Sequence, residues 1–202
     1  MSEAVDFKQV LDFWFGNADS DLEILEQKSS LWWKKDADLD AEMAERFSAT
    51  LDGLVAGELS GWGKKPESLL AMIVLADQFS RNIYRDTEKA FAQDELALAL
   101  TLQGLETRID LQLGKIHRIF FYMPLEHSEN LSVQDRSIEM YRELYESAPE
   151  DLKVTIKGDL DYAILHREVI EKFGRYPHRN VILNRNSTDE EIEYLKQPGS
   201  GF

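Results

Sequence analysis

The chain of 202 residues carries a formal charge of −15, from 23 Lys and Arg against 38 Asp and Glu, and it contains no cysteine. Hydrophobic residues make up 43% of the sequence, which is enough to build a packed core and excludes a wholly disordered chain. The negative charge argues against nucleic acid or an anionic membrane as a partner. The missing cysteines exclude disulfides, iron–sulfur clusters and a thiol nucleophile.

The N-terminus and the hydropathy pattern predict a cytoplasmic protein. No cationic segment followed by an apolar stretch begins the chain, and the longest apolar run, residues 69–76, is far shorter than the roughly 20 residues of a membrane span. No linker or low-complexity tract divides the sequence, so a single domain over residues 1–202 is expected. No cofactor-binding motif is recognised, and no cofactor is predicted.

Apolar residues recur every three or four positions, which predicts helices and not strands. In the first third of the chain the predicted helices span about residues 7–15, 21–33 and 36–57. Asp36 or Asp38 is positioned to cap the third of these. Pro66 begins the next helix, which is apolar on every face over residues 69–76 and is therefore expected at the centre of the fold.

The rest of the chain is also predicted to be helical. Helices are expected over about residues 86–104, 116–122, 124–145 and 149–173, and a short last helix begins at the capping-box pattern of residues 187–191. Short turns between these helices predict an all-α fold of antiparallel helical hairpins. The successive hairpins favour a tetratricopeptide-like, right-handed superhelical array over a four-helix bundle.

A first polar stretch, residues 77–85, continues the apolar helix. Asp77 and Arg81 lie one turn apart and can pair on one face, beside Asn82. A charged pair at the end of a buried helix is costly unless it is fully hydrogen-bonded. This stretch is therefore either an internal lock between helices or the floor of a ligand site.

A second polar stretch follows Pro124 and places Glu126, His127 and Glu129 in the first turn of a predicted helix. The helix dipole favours carboxylates at that position, so these need no catalytic role. A histidine beside carboxylates can also serve as an oriented general base or as a metal ligand. The other histidines lie in separate segments and no His-Glu-x-x-His pattern occurs, so no metal site is predicted.

A third polar stretch, residues 173–188, is predicted to be a loop because Gly174 ends the preceding helix and Pro177 favours extended geometry before it. It carries arginines, a histidine and asparagines in an otherwise acidic protein. Guanidinium groups form paired hydrogen bonds with carboxylates and phosphates, so the loop is a candidate anion site. The same arginines can instead tie the tail to the acidic N-terminal half.

Five short segments, spread in order across nearly the whole chain, form a specific combination. They are residues 13–16 (FWFG), 32–33 (WW), 77–82 (DQFSRN) with Arg85, 124–129 (PLEHSE) and 173–180 (FGRYPHRN). With this combination the chain resembles the bacterial family known as domain of unknown function nine-two-four. The resemblance implies an all-helical, tetratricopeptide-like architecture. It implies no activity, because no biochemical role is established for that family.

Three functions from different classes fit these residues. The leading hypothesis is a binding protein for a small anionic metabolite or an acidic peptide end, held in a polar cleft where the three stretches meet. Its predicted ligand-binding residues are Asp77, Arg81, Asn82, Arg85, Asn130, Arg175, Arg179, Asn180 and Arg185.

The second hypothesis is a hydrolase or lyase. Its general base is His127 or His178, and Glu126 or Glu129 orients that base. Arg179 then stabilises developing negative charge. The third hypothesis is a scaffold that engages a protein partner and in which the polar stretches are internal locks. Convergence of the three stretches on one open cleft would distinguish the site hypotheses from the scaffold.

Overall fold

The computed structural model of the protein describes residues 5–201. All the regular structure in these residues is helical, and they contain no strand, which confirms the predicted all-α class. The α-helices are α1 (Phe7–Phe15), α2 (Asp21–Trp32), α3 (Ala37–Val55), α4 (Pro66–Val74), α5 (Ser80–Ile83), α6 (Asp94–Glu106), α7 (Lys115–Glu126), α8 (Leu131–Glu146), α9 (Lys153–Phe173) and α10 (Asp189–Tyr194).

The first helices begin and end where side chains can satisfy their free backbone groups. Asp6 and Gln9 form a capping box at the start of α1, and Gly16 ends it with a φ of 77°. Asp36, one of the two predicted caps, accepts hydrogen bonds from the backbone N–H groups at the start of α3. That helix ends at Val55, close to the predicted position.

The apolar helix α4 lies at the centre of the fold, as predicted. All residues from 68 to 76 are at most 7% exposed, and α4 packs against α1, α6 and α7. The chain then continues through one π-helical segment, Leu75–Phe79, before α5 begins. The sequence gives no signal for this wider turn, which places Asp77 and Gln78 among buried residues. Such π-helical turns occur frequently at functional sites.

The prediction that Pro124 begins a helix is wrong. Pro124 lies inside α7, in its last turn, and His127 is the C-cap of that helix. The next helix, α8, is capped by Asn130. Proline is favoured in a first turn, but the Asn130 side chain satisfies the backbone N–H of Ser132 at 2.9 Å and makes the stronger start signal. Glu126 and His127 therefore lie at a helix C-terminus, where the helix dipole no longer favours a carboxylate.

The predicted start of the following helix at Asp86 or Thr87 is also wrong. A short 3₁₀ turn, Glu88–Phe91, occupies that position, and α6 begins only at Asp94. Asp86 adopts a φ of 60°, in the left-handed region, which cannot continue into a right-handed helix. The segment between α5 and α6 is therefore a tight connection that places Phe91 and Asp94 beside α5.

Helices α8 and α9 form the clearest antiparallel hairpin. Arg167, near the end of α9, donates to Asp135, near the start of α8, over 2.6 Å. At the other end, Lys153 Nζ donates to the carbonyl oxygen of Tyr145 at 2.8 Å. The tetratricopeptide-like superhelical array remains a prediction, as does the single domain. Between residues 5 and 201, no helix combines the length and apolar character that crossing a bilayer requires.

Candidate functional site

The three polar stretches meet beside the π-helical segment, together with residues that the sequence did not single out. We call this group the Arg/His cluster. It consists of Asp77, Arg81, Asp94, His127, His166, Tyr176, His178 and Arg179.

Asp77 is the buried anchor of the cluster, with no exposed surface. Its Oδ1 accepts a hydrogen bond from His127 Nδ1 at 2.6 Å and lies 3.1 Å from Nη1 of Arg81, while Gln78 Nε2 donates to Oδ2 at 2.5 Å. Burial raises the pKa of this carboxyl, but the charge of Arg81 and the contact with His127 outweigh burial and hold the pKa well below its usual range. Asp77 is therefore ionised, and it accepts a hydrogen bond from the protonated Nδ1 of His127.

Asp94, the first residue of α6, joins two arginines from distant parts of the chain. Arg81 donates to both of its carboxylate oxygens, at 2.8 and 3.2 Å, and Arg179 Nη1 donates to Oδ2 at 3.0 Å. Two guanidinium groups thus converge on one carboxylate. The pair of hydrogen bonds from Arg81 is the two-point contact that guanidinium groups commonly form with carboxylates.

Arg179 is the most confined cation of the cluster, at 6% exposure. Its guanidinium carbon lies 4.7 Å from the ring centre of Phe91 and 4.6 Å from that of Tyr176. Burial and the neighbouring Arg81 lower the pKa of Arg179. Its buried Nε atom has no hydrogen-bond partner among the described residues. The side chain thus has one buried donor that is not hydrogen-bonded.

Three histidines form a row with Tyr176 along one side of the cluster. The ring centres are 6.4 Å apart from His127 to His166, 5.6 Å from His166 to Tyr176 and 5.5 Å from Tyr176 to His178. Burial lowers the pKa of all three imidazoles, to about 3 for His166 and to about 4 for His178. All three are therefore neutral at pH 7.

Glu126 lies behind this row and is protonated at pH 7. Burial raises its pKa to about 8, and burial likewise raises the pKa of Asp159 on α9 to about 7. Glu126 Oε2 is 3.5 Å from Nδ1 of His166, whose proton goes to the carbonyl oxygen of Tyr162 at 2.8 Å. The contact between Glu126 and His166 therefore joins two neutral groups and is not an ion pair. Glu126 does not orient His127; Asp77 does.

The remaining predicted residues of the first two stretches lie outside the cluster. Asn82 and Arg85 both donate to Asp40 on α3, Asn82 at 2.9 Å and Arg85 at 2.6 and 2.8 Å. Asn130 caps α8. Glu129 accepts the backbone N–H of Tyr176 at 2.8 Å. These residues hold the surrounding helices and loops in place.

The third stretch is divided between the cluster and the tail. Arg175 donates to both carboxylate oxygens of Glu191, at 2.7 and 2.8 Å, and Asn180 also reaches Glu191 at 3.3 Å. Arg185 donates to both oxygens of Glu129, at 2.7 and 3.0 Å. Glu129 in turn contacts Tyr176 of the cluster. Of this stretch, only Tyr176, His178 and Arg179 belong to the cluster itself.

Sequence reasoning missed Asp94, His166 and Phe91. Asp94 stands 13 residues from Arg81 and 85 from Arg179, so no helical spacing connects them. His166 lies on the long helix α9, and a single histidine on such a helix does not indicate a functional site. A signal existed only for Tyr176, which lies inside the third stretch between two arginines.

Two clefts lie away from the cluster. Two clefts of about 480 and 420 Å³ flank α1, one lined by Phe13, Lys28 and Arg46 among others and one by Phe15 and His117 among others, and no cluster residue lines either. Over residues 5–201, no group of three or more His, Asp or Glu side chains is arranged to hold a metal ion. The three stretches thus converge on a compact, ion-paired cluster with a few partly exposed side chains.

Comparisons with known proteins identify the family. A model of a bacterial family of unknown function, DUF924, matches residues 10–199. The chain belongs to this family. A solved structure of a protein of unknown function from Agrobacterium tumefaciens, ATU0120, is similar over 94% of this chain and 96% of that one, with 32% identity and a TM-score of 0.80. Among curated proteins, none matches the chain.

Proposed function

We propose that this DUF924 protein binds a small anionic molecule, through a carboxylate or phosphate group, at the Arg/His cluster. The observation that supports this most directly is Arg179. It is more than nine-tenths buried, yet its Nε has no acceptor among the described residues. A buried donor without a partner costs about 1–3 kcal/mol. An oxygen of a bound anion would accept that hydrogen bond and remove the cost.

The surroundings of Arg179 also support recognition of an oxyanion. The rings of Phe91 and Tyr176 pack against the guanidinium group, with their centres 4.7 and 4.6 Å from its carbon. Arg81 brings a second guanidinium to the same place through their shared contact with Asp94. Positioned guanidinium pairs favour planar, two-point recognition of carboxylates and phosphates.

A competing explanation is that the cluster is an internal lock of a scaffold. The paired contacts from Arg85 to Asp40 and from Arg175 to Glu191 are locks of that kind, since each arginine donates from Nε and from one terminal nitrogen to the same carboxylate. Arg179 differs from them because its Nε is buried and has no acceptor among the described residues. The two explanations therefore predict opposite results for the same substitution.

The test is anion-induced thermal stabilisation. Wild-type protein is titrated with sodium succinate and with inorganic phosphate, each against sodium chloride at equal ionic strength, and binding is then measured by calorimetry. A ligand at about 100 times its Kd adds about 2.7 kcal/mol, or roughly 5–10 °C in Tm for a chain of this size. Arg179→Gln is expected to abolish this increase and, because Asp94 keeps its two hydrogen bonds from Arg81, to lower the Tm without ligand by less than Arg175→Gln does.

Arg175→Gln is the matched control, because it removes an arginine of the same loop that is bound to Glu191. We expect it to lower the Tm and to leave the response to anions intact. If Arg179→Gln instead lowers apo stability by about 1–3 kcal/mol, and no anion stabilises the wild type specifically, the scaffold explanation stands and the binding site does not.

A further inference from the structure

His127 has the surroundings of a general base. Its Nδ1 proton is held by the ionised, fully buried Asp77 at 2.6 Å. Both oxygens of Asp77 have partners, since Arg81 lies 3.1 Å from Oδ1 and Gln78 donates to Oδ2 at 2.5 Å. Asp77 can therefore neither rotate nor take the proton easily. It fixes the tautomer in which Nε2, on the opposite side of the ring, carries a lone pair.

That lone pair is positioned to accept a proton. The His127 side chain is 18% exposed, and its hydrogen bond to Asp77 is made through Nδ1, on the other side of the ring from Nε2. Burial and the charge of Arg81 lower the pKa of His127, so the imidazole is neutral and its Nε2 is unprotonated at pH 7. The charged and titratable groups that face it are Asp77, Arg81, Asp94, His166 and His178.

The cluster contains no accessible hydroxyl or thiol to act as a nucleophile. The chain has no cysteine. The hydroxyl of Tyr176 is fully buried and donates to the carbonyl oxygen of Glu126, and Ser80, next to Arg81, has no exposed surface. With no neighbouring hydroxyl or thiol to activate, His127 can activate a water molecule. The chemistry that this arrangement supports is hydrolysis by an activated water molecule.

Building on the proposed anion site, we propose that the bound anion is a substrate, namely a carboxylic ester that also carries a carboxylate, and that His127 is the general base of its hydrolysis. Arg179 binds the free carboxylate of the substrate. Asp77 is a positioning residue that acts through His127.

The reaction is a balanced hydrolysis. His127 Nε2 takes a proton from water while the water oxygen forms a bond to the ester carbonyl carbon, and the carbonyl electron pair moves to its oxygen. When this tetrahedral intermediate collapses, the bond to the alcohol oxygen breaks and His127 returns the proton to that oxygen. One ester and one water give one acid and one alcohol, and His127 is neutral again. An ester suits the site better than an amide because an alkoxide or phenoxide leaves with less help from an acid than an amine does.

The experiment compares two chromogenic esters, 4-nitrophenyl hemisuccinate, which carries a carboxylate, and the neutral 4-nitrophenyl acetate. We expect the wild type to increase the rate of 4-nitrophenolate release over the buffer rate by a larger factor for the hemisuccinate than for the acetate. The buffer rate is measured for each ester, because the carboxylate of the hemisuccinate attacks its own ester carbonyl. His127→Gln should lower kcat by about 100-fold or more, the usual contribution of a general base. His117→Gln is the control and should retain full activity, because His117 lies outside the cluster, with its ring centre 4.4 Å from that of Phe15.

Asp77→Asn tests the positioning role through the pH profile. The activity of the wild type should fall on the acid side as His127 becomes protonated. Since the Asp77 charge raises the pKa of His127, its removal should move that acid limb to lower pH and decrease kcat while changing KM little. A residue with a merely structural role would not move the limb. Because Asp77 is fully buried and its variant can fail to fold, the partly exposed His127→Gln carries the decision independently.

Binding is measured separately with succinic acid mono-4-nitroanilide, the amide that corresponds to the hemisuccinate. If this amide stabilises the wild type but the hemisuccinate is hydrolysed no faster than in buffer, the catalytic role is overturned and the binding site stands. If neither effect occurs, both proposals fail. Equal hydrolysis by wild type and His127→Gln would also overturn the catalytic role.

Discussion

Glu126 and Glu129 are three residues apart, yet the pKa of one is raised and that of the other is lowered. Burial raises the pKa of Glu126 to about 8. Glu129 is also partly buried, which raises its pKa, but Arg185 and the backbone N–H of Tyr176 more than compensate and bring its pKa below the usual value. Glu126 is therefore most stable as the neutral acid, and Glu129 as the anion.

Substituting each with glutamine should consequently have opposite effects. At pH 8 we expect Glu126→Gln to raise the Tm, because the amide avoids the cost of ionising a buried carboxyl, and at pH 5 to change it little. Glu129→Gln should lower the Tm at pH 8, since Arg185 loses a charged partner worth about 1–3 kcal/mol. Thermal unfolding of both variants at the two pH values measures this. A decrease in Tm for Glu126→Gln at pH 8 would contradict the neutral state of Glu126.

At this scale, local spacing predicted part of the site and no more. The pair of Asp77 and Arg81 followed from one helical turn, and the structure contains it at 3.1 Å. The partner of His127 did not follow, because Asp77 is 50 residues away along the chain. The sequence predicted Glu126 or Glu129 for that role on the assumption of proximity. Contacts between distant segments depend on how the helices pack, which apolar spacing does not encode.

At the scale of helices, two glycines inside α-helices have contrasting surroundings. A Cβ on Gly104 in α6 would collide with the ring of Phe121 and lie 3.0 Å from Cδ2 of Leu69, so this glycine allows α6 to approach α4 and α7 closely. A Cβ on Gly158 in α9 would meet nothing within 4 Å.

Alanine substitutions should therefore change stability in opposite directions. Gly158→Ala gains about 1 kcal/mol of helix propensity, which corresponds to an increase of about 2–4 °C in Tm. Gly104→Ala gains the same propensity but forces atoms into a packed core, at a cost of about 1–3 kcal/mol or more, and we expect a net decrease. Urea unfolding of the two variants decides this. Stabilisation by Gly104→Ala would show that α6 packs less closely than the structure indicates.

Helix existence was predictable, whereas helix boundaries were predictable only where a cap was unambiguous. Asp36 and the pair Thr188 and Glu191 cap helices as the sequence predicts. Pro124 misled because proline is acceptable near a helix end as well as in a first turn. The π-helical turn that places Asp77 in the cluster has no signal in the apolar spacing, which continues through it as in an α-helix.

For the molecule as a whole, the titration of buried groups sets the pH of maximum stability. All four histidines of the chain have a lowered pKa in the folded state, with burial as the largest cause. Below about pH 6.5 the unfolded chain therefore binds up to four protons that the folded protein does not bind. Protonation favours the unfolded state there, so stability falls as the pH decreases.

Two carboxyls act in the opposite direction. Glu126 and Asp159 keep their protons in the folded state up to about pH 8 and about pH 7, whereas in the unfolded chain they lose them near pH 4. Their contribution is complete in acid and is lost as the pH rises through those values. Between about pH 4.5 and 6.5 they bind two protons against as many as four on the unfolded histidines, so the histidines prevail and stability rises with pH.

Above pH 6.5 the histidines are neutral in both states, and only the loss from Glu126 and Asp159 remains. The net charge of −15 adds repulsion within the compact state as the pH increases. We therefore expect the Tm to reach a maximum between pH 6 and 7 and to decrease on both sides. The decrease should be steeper towards acid, because the pKa of Asp77 and that of Glu191 are lowered in the folded protein, and the stability that these carboxylates contribute is lost below about pH 4. Calorimetric scans from pH 4 to 9 at constant ionic strength measure this curve. A Tm that continues to rise from pH 6.5 to 8 would show that Glu126 and Asp159 are ionised in the folded protein, and that burial does not raise their pKa as described.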